Sequence, residues 1–168
     1  MAGTEQLIAA VRREQWPQRT ACTDWTVRDL VNHLVGGDRL FASVLSDEAP
    51  PVGNFQRPQN NDQLGDSPVT AYRGAAGALL AAFRQPGVLE KIITVPAGTM
   101  PGRVAVHLRL TETLVHGWDL ARANGDAVPY RDDIAEQELA FTRAQLGKVP
   151  PGRRPFAPPQ PAAEEAPA

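Results

Sequence analysis

The sequence predicts an all-α fold: an antiparallel four-helix bundle with one extra C-terminal helix and a proline-rich tail. Three observations carry this expectation. Proline and glycine cut the chain into blocks whose apolar residues recur at helical spacing. Several blocks open on a residue suited to cap a helix. Alternating apolar and polar residues, the mark of half-buried strands, are almost absent.

Taken in order, residues 4–15 predict a short helix that stops before Pro17, whose ring forbids continuation. Thr26 stands as an N-cap with Asp29 three positions on, a variant of the capping box, and opens a helix from Val27 to about Ser46. Val27, Leu30, Val31, Leu34, Phe41 and Leu45 fall on one side of it. Asp47 to Pro68 is polar and rich in Pro, Gly and Asn, and a connector of that length is either functional or partly mobile. Ser67-Pro68, a cap followed by proline at the first helical position, opens an Ala/Leu-rich helix to about Phe83. Ile92 to Val95 is a short β-prone run, read as an extended segment or a small strand. Gly98-Thr99-Met100-Pro101-Gly102 reads as the approach to a long helix from Val104 to Ala123, which stops at Asn124-Gly125. A last helix is expected from Asp132 to Leu146. From Pro150 the chain holds seven of its sixteen prolines and reads as an extended or disordered tail. The expected division is therefore 1–149 for the helical domain and 150–168 for the tail.

At 168 residues the chain fits one domain and can bury enough surface to fold without a disulfide. A hydrophobic fraction of 42% against 21% charged excludes a wholly disordered chain. A net charge of −2 implies no basic patch and argues against nucleic-acid binding. Cys22 is alone, which excludes an intrachain disulfide and a Cys-rich zinc site and suits a reducing cytoplasm. The favoured role for Cys22 is that of a small hydrophobe. The opening Met-Ala-Gly-Thr-Glu-Gln-Leu lacks a signal-peptide pattern. The longest apolar run, Ala78 to Phe83, is far short of the ~20 residues of a membrane span. A cytoplasmic protein without nucleic-acid or membrane partners is the expectation.

The histidines are His33, His107 and His116. Glu112 and His116 stand at i and i+4 on the long helix, about 40° apart on one face at roughly 100° per residue. Asp119 and Ala123 continue that stripe, with Leu108 and Val115 beside it, so a carboxylate and an imidazole share a face expected to point at the core. A buried carboxylate needs a partner, either a cation or an arginine. His33 lies at the flank of the apolar face of its own helix, and facing helices bring such residues together. One imidazole plus a Glu-x-x-x-His pair makes three ligands, the set with which a catalytic zinc keeps an open position. The competing reading is a set of core-edge histidines held by ordinary hydrogen bonds. His107 lies about 180° around the helix from His116 and suits the same site poorly. Asp119 is either an ion-pair partner of Arg122 or an acceptor that orients a ligand imidazole. Gly36-Gly37 and Gly117, costly inside helices, lie within a turn of His33 and His116, where close backbone approach or ligand access would account for them.

Two stretches carry a family resemblance. The run Cys22-Thr23-Asp24-Trp25-Thr26-Val27-Arg28-Asp29-Leu30-Val31-Asn32-His33-Leu34-Val35-Gly36-Gly37 resembles the opening of the second helix in actinobacterial metal-binding proteins related to mycothiol-dependent maleylpyruvate isomerase, part of the wider DinB/YfiT-like group. Leu110-Thr111-Glu112-Thr113-Leu114-Val115-His116-Gly117-Trp118-Asp119-Leu120-Ala121-Arg122 resembles their other signature. The resemblance spans residues 5–160. It implies a four-helix bundle with a divalent metal, usually zinc, whose ligands here would be His33, Glu112 and His116. It further implies mycothiol as cosubstrate and a small electrophile as partner, in S-transfer or thiol-assisted isomerisation. On this reading Asp119 supports a ligand, and Arg109 or Arg122 meets an anionic substrate unless simply solvated. Nickel, iron or manganese suit the same donor set. The alternative is a non-catalytic structural or regulatory metal-binding protein, because the fold does not decide function. The first helix is shorter than the resemblance implies: either the chain is a truncated or degenerate member, or a neighbouring chain completes the bundle, since a partly uncovered core invites a homodimer.

Overall fold

The computed structural model of the chain describes residues 1–48 and 61–148. Most of the Asp47–Pro68 connector, residues 49–60, and the tail expected from Pro150 lie outside the described residues. The described residues are mostly helical, with a small antiparallel sheet added to the expected helices. One compact unit, Met1–Pro129, holds α1 (Ala2–Ala10), α2 (Val27–Leu45), α3 (Pro68–Phe83), β1 (Ile92–Val95), β2 (Gly98–Pro101) and α4 (Gly102–Asn124). A second unit begins at Tyr130 and holds α5 (Asp132–Leu146).

The start of α2 is set by its cap. Thr26 Oγ1 accepts the Asp29 N–H at 3.2 Å, while the Asp29 carboxylate accepts the Thr26 N–H at 2.9 Å, which closes the capping box. From there α2 packs against α3, α4 and β1, and α1 packs against α3 and α4. Its apolar stripe feeds two buried clusters. One gathers Leu7, Ile8, Leu30, Leu34, Tyr72 and Leu120 with their neighbours. The other gathers Phe41, Leu45, Leu79, Ile93, Val95 and Ala105. Between the two clusters α2 carries Gly36, Gly37 and Asp38, all buried.

Three details depart from the sequence reading. α1 ends at Ala10 instead of running to about residue 15. Buried Gln15 explains this: its side-chain oxygen accepts the Arg12 N–H at 2.9 Å, and its amide donates to the Asn124 carbonyl at 3.1 Å. Those bonds hold residues 11–15 in a docked turn at the end of α4. Second, Gly98–Pro101 is a strand, paired from Ile92↔Pro101 to Val95↔Gly98. It carries no β pattern of its own, and forms because Ile93 and Val95 are buried in the second cluster and supply a partner edge. Third, Ser67 sits at the start of α3 but donates to Thr70 Oγ1 at 2.8 Å and caps no backbone N–H.

The described end of the long connector is anchored on α2. Asn32 donates to the Asn61 carbonyl at 2.7 Å and accepts the Gln63 N–H at 2.6 Å, and Leu64 is buried. α4 stops at Gly125, whose φ of 78° is the left-handed turn that glycine accepts without strain. In the second unit, α5 opens on Asp132 and Asp133 and ends with Arg143, charges that suit its dipole. No helix among the described residues is long and apolar enough to cross a membrane.

Candidate metal centre

Two segments converge on the middle of α4: α2 and the loop that precedes it. The loop is shaped by its backbone. Thr20 N donates to the Trp25 carbonyl at 3.0 Å, Trp25 N donates to the Cys22 carbonyl at 3.1 Å, and Asp24 takes a left-handed φ of 66°. This places the Trp25 ring 4.7 Å from that of His33 and 5.8 Å from that of His116, measured between centroids.

α2 contributes His33, and α4 contributes Glu112, His116 and Asp119 at i, i+4 and i+7. His33 Nε2 lies 2.9 Å from Glu112 Oε2, and His116 Nε2 lies 3.4 Å from the same oxygen. The other edge of His116 faces Asp119, Nδ1 to Oδ2 at 3.1 Å. Cys22 Sγ donates to Asp119 Oδ2 at 3.4 Å and lies 3.8 Å from His116 Nδ1. Two sets of donors therefore share His116: His33, Glu112 and His116 on its Nε2 side, and Cys22, His116 and Asp119 on its Nδ1 side. Within each set the ligand atoms all lie within 4.8 Å of one another.

The charges follow from the packing. Burial alone would raise the Glu112 carboxyl, but hydrogen bonds with His116 and His33 and the charges of His33 and Arg109 hold it well below the usual carboxylate range. Burial alone would depress His116; hydrogen bonds to Asp119 and Glu112, with their charges, instead push it up to about 9. Burial, then the Asp119 charge and hydrogen bond, push the Cys22 thiol up to about 11. Near neutral pH the metal-free cluster is thus an imidazolium between two carboxylates with a neutral thiol beside it.

The donor set suits a divalent cation. Neighbouring ligands of a tetrahedral zinc at about 2.0–2.1 Å stand roughly 3.3–3.5 Å apart; the Glu112 oxygen has that separation from His116 Nε2, at 3.4 Å, and is drawn closer to His33 Nε2, at the hydrogen-bond distance of 2.9 Å. With its Nδ1 proton on Asp119, His116 presents Nε2 to a cation, the tautomer that a carboxylate behind a ligand histidine selects.

The other residues singled out by the sequence fall elsewhere. Arg109, expected to meet an anionic substrate or to be solvated, is buried and donates to Asp38 Oδ1 at 2.8 Å and 3.2 Å. Its position in the chain hid this, because the paired carboxylate comes from another helix. Arg122 lies over the exposed Trp118 ring, 5.5 Å from its centroid, and Asp119 faces His116 instead of Arg122. Val115 is exposed, not part of the buried stripe, which runs through Ala105, Arg109, Thr113 and Gly117. His107 belongs to neither donor set. Cys22, which the sequence favours as a small hydrophobe over a reactive thiol, is instead carried by its loop to the side of Asp119 and His116.

Fold and cluster together define a mostly helical protein with a candidate metal site between two of its helices. The profile of the mycothiol maleylpyruvate isomerase N-terminal domain matches residues 1–121, and the chain belongs to that family. Two uncharacterized proteins of Mycobacterium tuberculosis, from strains CDC 1551 and H37Rv, are each 36% identical to it over 163 residues, covering 96% of this chain and 84% of theirs. No solved structure matches the chain.

Proposed function

We propose that this chain is a divalent-metal-binding protein built on a DinB-like four-helix core, α1 to α4, and that it works as a thiol-dependent S-transferase or isomerase on a small electrophile, with mycothiol as the thiol. The observation that carries the reading is the meeting of His33, Glu112 and His116 across α2 and α4, with ligand atoms within 4.8 Å of one another. His33, Glu112 and His116 are the proposed ligands, and zinc is the proposed ion. When bound, such an ion supplies Lewis acidity and lowers the pKa of a thiol or water reaching its open position.

The remaining work falls to the chain. Asp119 accepts the His116 Nδ1 proton and fixes the ring's orientation. Glu112 stays anionic through the physiological range and balances part of the ion's charge. Trp25 covers the imidazoles on one side and keeps water from that face, whereas the Glu112 side chain is 30% exposed and marks the open approach. Membership of a mycothiol-related family supports the thiol as partner. One observation favours a second, structural reading: an ion held by the trio would cross-link α2 to α4 and stabilise the bundle without turnover.

Elemental analysis of tag-free protein tests the site. About one equivalent of zinc or another divalent ion is expected in the parent and in His107→Ala, with occupancy sharply reduced in His33→Ala and His116→Ala. Equal metal content in all four proteins would refute the ligand assignment. A cobalt-substituted protein whose visible spectrum changes on adding thiol supports the catalytic reading; an unchanged spectrum at saturating thiol favours the structural one.

A further inference from the structure

An ion pair that the metal reading does not use lies between the two apolar clusters. The side chains of Asp38 and Arg109 are 2% and 5% exposed, and both Arg109 nitrogens in contact, Nη2 and Nε, donate to Asp38 Oδ1. The guanidinium is held on two further sides. Its carbon lies 5.4 Å from the Phe41 ring centroid. Its Nη1 lies against Gly37, where a Cβ would come within 2.6 Å. A Cβ at 37 would force the guanidinium to shift from this position. Two buried charges are a poor route to stability, since packed apolar residues of similar volume often serve as well or better; the best-attested use of such groups is to specify register.

The placement of the pair points to that use. His33 of α2 meets Glu112 of α4, and five residues further along α2 Asp38 meets Arg109, three residues back along α4. The helices therefore run antiparallel here, and at about 1.5 Å rise per residue the two contacts are successive rungs roughly one turn apart. Between Ala105 and Leu120 the buried positions of α4 are Arg109, Thr113, Gly117 and Asp119. None of these four is a large apolar knob; the apolar packing of α4 into the two clusters comes from Ala105 and Leu108 on one side of them and Leu120 and Ala121 on the other. Between them a guanidinium on a carboxylate, with directional charge-assisted bonds, locks the height of α4 against α2. A slip of one residue would shift α4 by about 1.5 Å and turn it by roughly 100°, which separates His33 from Glu112.

We propose that the Asp38–Arg109 pair positions the metal centre by setting the register of α4 against α2, so that His33 meets Glu112 and His116. The inference rests on reading that trio as ligands.

The test compares the full chain with Asp38→Leu/Arg109→Met, which removes both charges and keeps the bulk, with Arg109→Lys, which keeps the charge and loses the planar fork, and with His116→Ala. Cobalt(II) is the probe, read as affinity by chelator competition and as visible absorption per bound ion, beside the helical circular dichroism and melting of each metal-free protein. The double variant is expected to fold with the parental helical signal yet bind cobalt about tenfold or more weakly, as when groups that orient ligands are lost, with an altered visible band. Arg109→Lys is expected to show a smaller loss in the same direction. A folded double variant with parental affinity and spectrum overturns the positioning role and leaves the ligand assignment standing. Should the double variant fail to fold, Arg109→Lys decides: weaker binding with an altered band supports the proposal, and parental values overturn it. A parent that binds no cobalt, or binds it equally after His116→Ala, overturns the reading of the trio and the positioning role with it.

Discussion

Raising the pH should tighten metal binding by about tenfold per unit between pH 7 and the neighbourhood of pH 9, and His116 is the reason. In the metal-free protein burial works against its proton, but the hydrogen bonds and charges of Asp119 and Glu112 win and hold it to about 9. A cation needs the Nε2 lone pair, so binding near pH 7 must release that proton. One proton released is one decade of affinity per pH unit, about 1.4 kcal/mol each. Glu112 adds nothing to the slope, because its carboxyl is already ionised throughout this window. Cys22, held up to about 11, adds a second proton only if its thiol becomes a ligand. A slope near one thus selects the His33–Glu112–His116 set, and a slope near two selects the set containing Cys22. The assay is competition against a chromophoric chelator in metal-free buffers from pH 6.5 upward, with proton release followed by an indicator dye in weak buffer. Asp119→Asn should flatten the upper part of the slope, since one of the two charges that hold the His116 proton is gone. An affinity independent of pH with no proton released would refute the reasoning.

Three further outcomes are expected. In metal-free protein the His116 value lies above its ordinary 6.5, so its stabilising contribution is complete below pH 6.5 and is lost as pH rises through about 9; thermal melts should show this decline, and His116→Gln should remove it. Arg109→Met alone leaves Asp38 buried without its cation and should cost about 3–5 kcal/mol in urea unfolding, whereas an effect near zero would place the pair in water. Thr26→Ala removes the acceptor of the capping box and should cost about 1 kcal/mol by the same assay, with α2 and the candidate site otherwise intact.

Much of the fold was legible because its signals are local. The Thr26 and Asp29 cap places the start of α2 at Val27, Pro68 opens α3, and Gly125 ends α4, each through contacts within a few residues. The i, i+4 spacing likewise puts Glu112 and His116 on one face of a helix whatever surrounds it. What spans the chain was not legible in this way. The strand at Gly98–Pro101 depends on Ile93 and Val95 finding a buried cluster, and the early end of α1 depends on Gln15 reaching the last turn of α4. Arg109 looks solvated until Asp38 arrives from 71 residues away, and Cys22 looks like a small hydrophobe until its loop sets it beside Asp119. By itself the sequence determined which segments are helices, the cap that opens α2 and the face on which Glu112 and His116 stand together. Only the tertiary structure decided that His33 meets them and which charges lie beneath, because caps and helical periodicity act over a few residues whereas the register between two helices is set by packing contacts that no short stretch of sequence contains.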